Sequence, residues 1–100
     1  MEYYVTYNGS PIVRGDQSFI DKYFNKLLEE LDCPLNYEQL DEFATLEFQY
    51  HIEFIEGISE KDYICNSLNI SHEIYDKTKE WMNTEKYNEF SNHEVSVEPF

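Results

Sequence analysis

Basic residues are scarce in this chain. Seven Lys plus Arg stand against 21 Asp plus Glu, for a formal net charge of −14 and a pI near 4.3. A chain of that charge is repelled by nucleic-acid phosphates and by anionic membrane surfaces. Cysteine is nearly absent as well. Cys33 and Cys65 are too few for a disulfide framework and lack CxxC spacing. They read as two reduced, partly buried thiols. There are only three Gly and three Pro. No glycine-rich phosphate loop and no GxSxG nucleophile elbow exists. No apolar run approaches the roughly 20 residues of a membrane span. The opening Met-Glu-Tyr-Tyr has neither the basic nor the apolar region of a signal peptide. A cytoplasmic location is therefore expected, and the glycosylation pattern Asn69-Ile70-Ser71 carries no weight without a secretory signal.

Chemistry is missing in the same way. His51, His72 and His93 lie in three separate segments, without HxxxH or HxH spacing. Paired acids such as Asp41-Glu42 prove nothing in a chain so rich in carboxylates. The expectation is a protein that is not an enzyme, with no catalytic residue, no metal ligand and no cofactor.

Aromatic residues, by contrast, are abundant. Nine Tyr, seven Phe and one Trp make 17% of the chain, and 41% of it is hydrophobic. Disordered acidic chains are poor in such residues. Residues 1–100 are therefore expected to form a single compact domain of the α+β class. Glu2 to Tyr7 and Pro11 to Arg14 are strand-like runs joined by Asn8-Gly9, a strong hairpin signal. Pro11 cannot donate to a ladder, which suits a short or edge strand. Phe19, Ile20, Tyr23, Phe24, Leu27, Leu28 and Leu31 form an amphipathic stripe and predict a helix over about 17–31. Asn36 with Gln39 predicts a capping box and a second, shorter helix.

From Leu46 the period changes to alternation. Leu46, Phe48, Tyr50, Ile52 and Phe54 interleave with Glu47, Gln49, His51 and Glu53, which predicts a half-buried central strand over 46–55. That strand is expected to share an antiparallel sheet with the N-terminal hairpin. His51 and Glu53 would lie side by side on its polar face as a solvated pair. Ser59 and Ser71 predict the caps of two further helices, over about 60–67 and from 72 to about 83 or 90. About four helices would pack on the sheet. The tail from His93 alternates at Val95 and Val97, as an added edge strand or a loose end.

The charge is unevenly placed. Between Lys26 and Lys61 there are ten acids and no base, whereas residues 61–86 come close to balance. Charge at that density opposes folding through self-repulsion, which a basic partner would relieve. Same-face strand residues lie about 6.6 Å apart, comparable with neighbouring phosphates. Carboxylates so spaced could occupy a nucleic-acid-binding groove in place of DNA, with flanking helices completing the row. Glu38, Asp41, Glu42, Glu47, Glu53 and Glu56 are the expected partner-binding residues, with Tyr37 at the rim and Tyr50 in the core. In composition the chain resembles the small acidic inhibitors of phages and mobile elements, the DNA-mimic antirestriction and anti-CRISPR class. That resemblance implies an inhibitor of a basic nucleic-acid-handling protein or nuclease, and it assigns no residue by position. An immunity or antitoxin protein against a basic toxin would carry nearly the same surface. A homodimer stays open.

Residues 64–75 resemble the helix-turn-helix pattern, with Leu68, Ile70 and Tyr75 as packing positions and Asn69 at the left-handed turn. The implied recognition helix would carry Glu73, Asp76 and Glu80 against Lys77 and Lys79. Phosphate neutralisation needs the opposite balance. A DNA-reading regulator is therefore the weakest of the three readings.

Overall fold

The computed structural model describes residues 2–97. Three strands and five helices follow one another as β1 (Tyr3–Tyr7), β2 (Ser10–Gly15), α1 (Gln17–Glu30), α2 (Tyr37–Ile52), α3 (Glu60–Leu68), α4 (His72–Trp81), α5 (Glu85–Ser91) and β3 (His93–Val97). The sheet runs β2-β1-β3 with both pairings antiparallel, so the fold is α+β.

The hairpin forms as its turn residues dictate. Asn8 and Gly9 both take positive φ, 49° and 88°, which matches the twist of the flanking strands. The register slips between Val5 and Thr6, where Val5 pairs with Val13 but Thr6 with Pro11. Ile12 is the extra residue, beside the Pro that has no N–H to give. β2 is accordingly an edge strand. At Gly15 a Cβ would come within 2.6 Å of the Phe19 ring, so the strand can meet α1 closely only without a side chain there. Asp16 then caps α1 by accepting from the Phe19 N–H.

One core patch holds the sheet to α1 through Val5, Ile20 and Phe24. A larger one joins the helices through Leu28, Leu40, Phe43, Leu46, Ile64 and Trp81, among others. Phe24 and Leu28 are one turn apart on α1, so this helix serves both. The Trp81 indole N–H donates to the Leu31 carbonyl at 2.8 Å and ties the end of α4 to the end of α1.

The expected central strand over 46–55 is not formed. Residues 46–52 continue α2, which is the longest helix. Asn36 and Gln39 do make the capping box that starts it. Once nucleated, a helix extends one bond per residue, and no Gly or Pro interrupts this one before Gly57. Leu40, Phe43, Leu46 and Tyr50 meet the helical period as well as Leu46, Phe48 and Tyr50 meet the strand period. Both hydrogen-bonding edges of β1 are already taken by β2 and β3. The third strand is His93–Val97, from the tail; the rest of that expected segment, residues 98–100, lies outside the described residues.

The cost of helix over strand is visible on the surface. Leu46 is buried, but Phe48, Ile52 and Phe54 are 66%, 55% and 81% exposed. Tyr50 is half-buried, with its hydroxyl donating to the Ile58 carbonyl at 2.8 Å. Toward the C-terminus, the helix expected from Ser71 ends close to the shorter of its two expected limits, and a separate fifth helix follows. α4 stops at Trp81, and α5 begins after Thr84, whose hydroxyl donates to the Trp81 carbonyl at 2.6 Å.

Candidate functional site

α1 and α2 lie side by side and make a polar cleft. Asn25 on α1 accepts from the Tyr37 N–H at 2.8 Å, which fixes the start of α2 against α1. Gln17, Asp21 and Asn25 stand at i, i+4 and i+8, one polar stripe of α1. They face Tyr37, Glu38 and Asp41 across a cleft of about 370 Å³. Three carboxylates thus share one depression, and among the described residues no Lys or Arg lines it. The Tyr37 hydroxyl registers this charge. Burial pushes its pKa up, and the Asp41 and Asp21 carboxylates push it the same way. Gln17 holds Asp21 in place, donating from its amide at 2.8 Å.

A local reason exists for acids here. Glu38 sits in the first turn of α2, where the helix dipole favours negative charge, and Asp41 and Glu42 follow in the second turn. The i, i+4 pair Glu38 and Glu42 opposes this by about 0.2–0.5 kcal/mol. Both effects are small, so neither fixes how many acids the surface carries.

Beside the cleft lies an aromatic hollow of about 260 Å³, between α1, α2, α5 and β3. Phe24, Tyr37, Tyr87, Phe90 and His93 line it together with Leu40, Ala44, Met82 and Val95, and Asp41 is the acid among its lining residues. Phe24 stacks on Tyr37 at 4.6 Å between ring centroids and meets Phe90 edge-on at 5.8 Å. Tyr37 and Asp41 belong to both depressions, so cleft and hollow form one surface feature.

The six expected partner-binding acids are scattered by this fold. Glu38 and Asp41 meet in the cleft, and Glu42 lies exposed on the adjacent part of α2. Glu47 is engaged by α4 instead. Its carboxylate is only 20% exposed and takes the Lys79 ammonium at 2.6 Å, which holds the Lys79 pKa above its ordinary range. Glu53 caps the far end of α2, and Glu56 follows in the next loop beside the exposed Phe54. About 18 Å of helix separates Asp41 from Glu53. The 6.6 Å strand spacing expected of Glu47 and Glu53 therefore does not occur. The expected His51–Glu53 pair is replaced as well: His51 lies 3.4 Å from Glu60.

Two further acids of the base-free stretch find partners that sequence distance hides. Asp32 pairs with Lys86, and Glu47 with Lys79. Among the described residues, Glu38, Asp41, Glu42, Glu53 and Glu56 make no ion pair. Asp21 was not among the expected contacts. Its signal was the Gln17-Asp21-Asn25 spacing, a polar stripe on an otherwise amphipathic helix.

The helix-turn-helix-like segment folds as its pattern implies locally. Asn69 ends α3 in the left-handed region, φ 56°, and Ser71 caps α4. Its lysines are all engaged: Lys61 with Asp76 at 2.9 Å, Lys77 with Glu73 at 3.0 Å and Lys79 with Glu47. Both cysteines are free thiols, with Cys65 buried. Among the described residues no group of His, Cys, Asp and Glu is arranged to hold a metal ion, and no helix is long and apolar enough to cross a membrane. Comparison with known protein families, curated proteins and solved structures finds no match.

Proposed function

We propose that this protein is an acidic inhibitor that binds the cationic groove of a nucleic-acid-handling protein or nuclease and blocks entry of DNA or RNA. The observation that supports the reading most is the α1–α2 cleft, where Asp21, Glu38 and Asp41 converge and which, among the described residues, no Lys or Arg lines. Held on two packed helices, these charges lose little freedom on binding. A basic partner would gain long-range steering from the net charge and register from the cleft. Direct DNA reading is disfavoured, because the lysines of α3 and α4 are each tied to a carboxylate. Phage counter-defence and toxin neutralisation both use such a surface, and the neighbouring genes distinguish them.

The test is competition. Immobilised protein should retain a basic protein from host lysate, and duplex DNA should release it. An Asp21→Asn/Glu38→Gln/Asp41→Asn variant should retain much less. A retained protein that neither DNA nor salt displaces would contradict the reading.

A further inference from the structure

The aromatic hollow adds chemistry that a purely charged surface lacks. Five rings, Tyr37, Tyr87 and His93 among them, line it beside apolar side chains such as Leu40 and Met82, and Asp41 is the acid in its lining. We propose that this hollow takes the guanidinium of an arginine side chain presented by the basic partner. The inference rests on the inhibitor reading and specifies the contact that the partner makes.

The chemistry selects the ligand class. Aromatic faces attract a cation, and guanidinium stacks on them better than ammonium. Asp41 then supplies the counter-charge with charge-assisted hydrogen bonds. A neutral apolar occupant would instead desolvate the Asp41 carboxylate without pairing it, which is unfavourable. An anion would meet the Asp41 carboxylate in the hollow, with Asp21 and Glu38 in the adjoining cleft. His93 does not compete as a donor toward the hollow through Nδ1, which lies 2.9 Å and 3.2 Å from the carbonyls of Glu89 and Phe90. Carbonyls only accept, so Nδ1 carries the proton and is already used.

A side chain of a protein fits better than a free amine. The hollow shares Tyr37 and Asp41 with the cleft that holds Asp21 and Glu38. A single small cation would engage one half of this feature. A chain carrying two cations a few residues apart would engage both.

Full-length protein is titrated at low salt with the peptide acetyl-Gly-Arg-Gly-Arg-Gly-amide, and the ring signals of Tyr37, Tyr87 and Phe90 are followed by NMR. These signals should shift, and binding should be about tenfold tighter than for the citrulline or norleucine versions. Nα-acetyl-arginine N-methylamide should bind about tenfold more weakly than the peptide. Ala44 is exposed and lines the hollow, so Ala44→Leu narrows it without changing any charge. That variant should lose the ring shifts and about tenfold in affinity. Tyr87→Leu removes one wall and should weaken binding independently. Equal binding of the norleucine peptide would overturn the proposal in favour of an apolar site. Equal binding of the single arginine amide would overturn it in favour of a free small molecule. Binding that survives both Ala44→Leu and Tyr87→Leu, yet is lost in the triple cleft variant, would overturn the role of the hollow and leave the acidic-surface reading intact.

Discussion

Asn69 and Phe54 both take a positive φ, 56° and 49°. Their side chains make that conformation unequal in cost. Asn visits the left-handed region readily, whereas a bulky residue there is strained by about 1–2 kcal/mol. Asn69 was legible in the sequence because it stands where the helix-turn-helix pattern has Gly. Phe54 was not, since nothing about Phe signals a positive φ. Asn69→Ala should destabilise the fold by about 1 kcal/mol in urea denaturation, and Asn69→Gly by only a few tenths. Phe54→Gly should stabilise it by about 0.5–1 kcal/mol, because the ring is 81% exposed and little burial is lost. A loss of stability in Phe54→Gly would mean that the ring makes contacts that its exposure does not suggest.

Among the elements, α2 carries the main lesson about legibility. The hairpin, α1 and the capped starts of α2, α3 and α4 were readable from turn and cap chemistry, which is local. The C-terminal half of α2 was not. Its apolar residues satisfy two periods at once, and only tertiary context chose between them. β3 had already completed the sheet, and the capping box had already nucleated the helix. The rejected period survives as Phe48 and Ile52 on the solvent side. A Phe48→Gln/Ile52→Gln variant should therefore differ from the parent by no more than about 0.5 kcal/mol in denaturant. A buried strand face would lose several kcal/mol by the same change, so a large loss would contradict the helix.

For the molecule as a whole, the clear pKa shifts all point upward. Burial raises the Tyr37, Tyr75, Cys33 and Cys65 pKa values. Hydrogen bonds with Glu47 and Asp76 raise those of Lys79 and Lys61. In each case the folded state holds its proton more tightly than the unfolded chain. The stabilisation is therefore fully present below the unfolded values, 9.0 for Cys, 10.0 for Tyr and 10.5 for Lys, and is lost as pH rises through the folded ones. The Tm should fall between pH 8.5 and pH 11, an interval that extends about half a unit beyond those values at each end. A flat Tm over that interval would contradict the burial of the Tyr and Cys groups and the pairing of Lys61 and Lys79 with carboxylates. The site was partly legible at this scale. The excess of acids in the base-free stretch was plain, but which of them converge depends on helix packing. Asp21 comes from another helix, and Glu47 is withdrawn by a lysine 32 residues away.

On the inhibitor proposal, the negative charge acts locally, at the α1–α2 cleft. The most direct test is a charge-matched comparison by isothermal titration with the two-arginine peptide at low and at moderate salt. One protein carries Asp21→Asn, Glu38→Gln and Asp41→Asn. The other carries Glu29→Gln, Glu80→Gln and Glu85→Gln, three exposed acids outside the cleft. Both have the same net charge. The cleft variant should bind about tenfold more weakly than the parent, and the control should bind nearly as the parent does. Equal weakening in the two variants would show that the charge acts diffusely and would contradict the account.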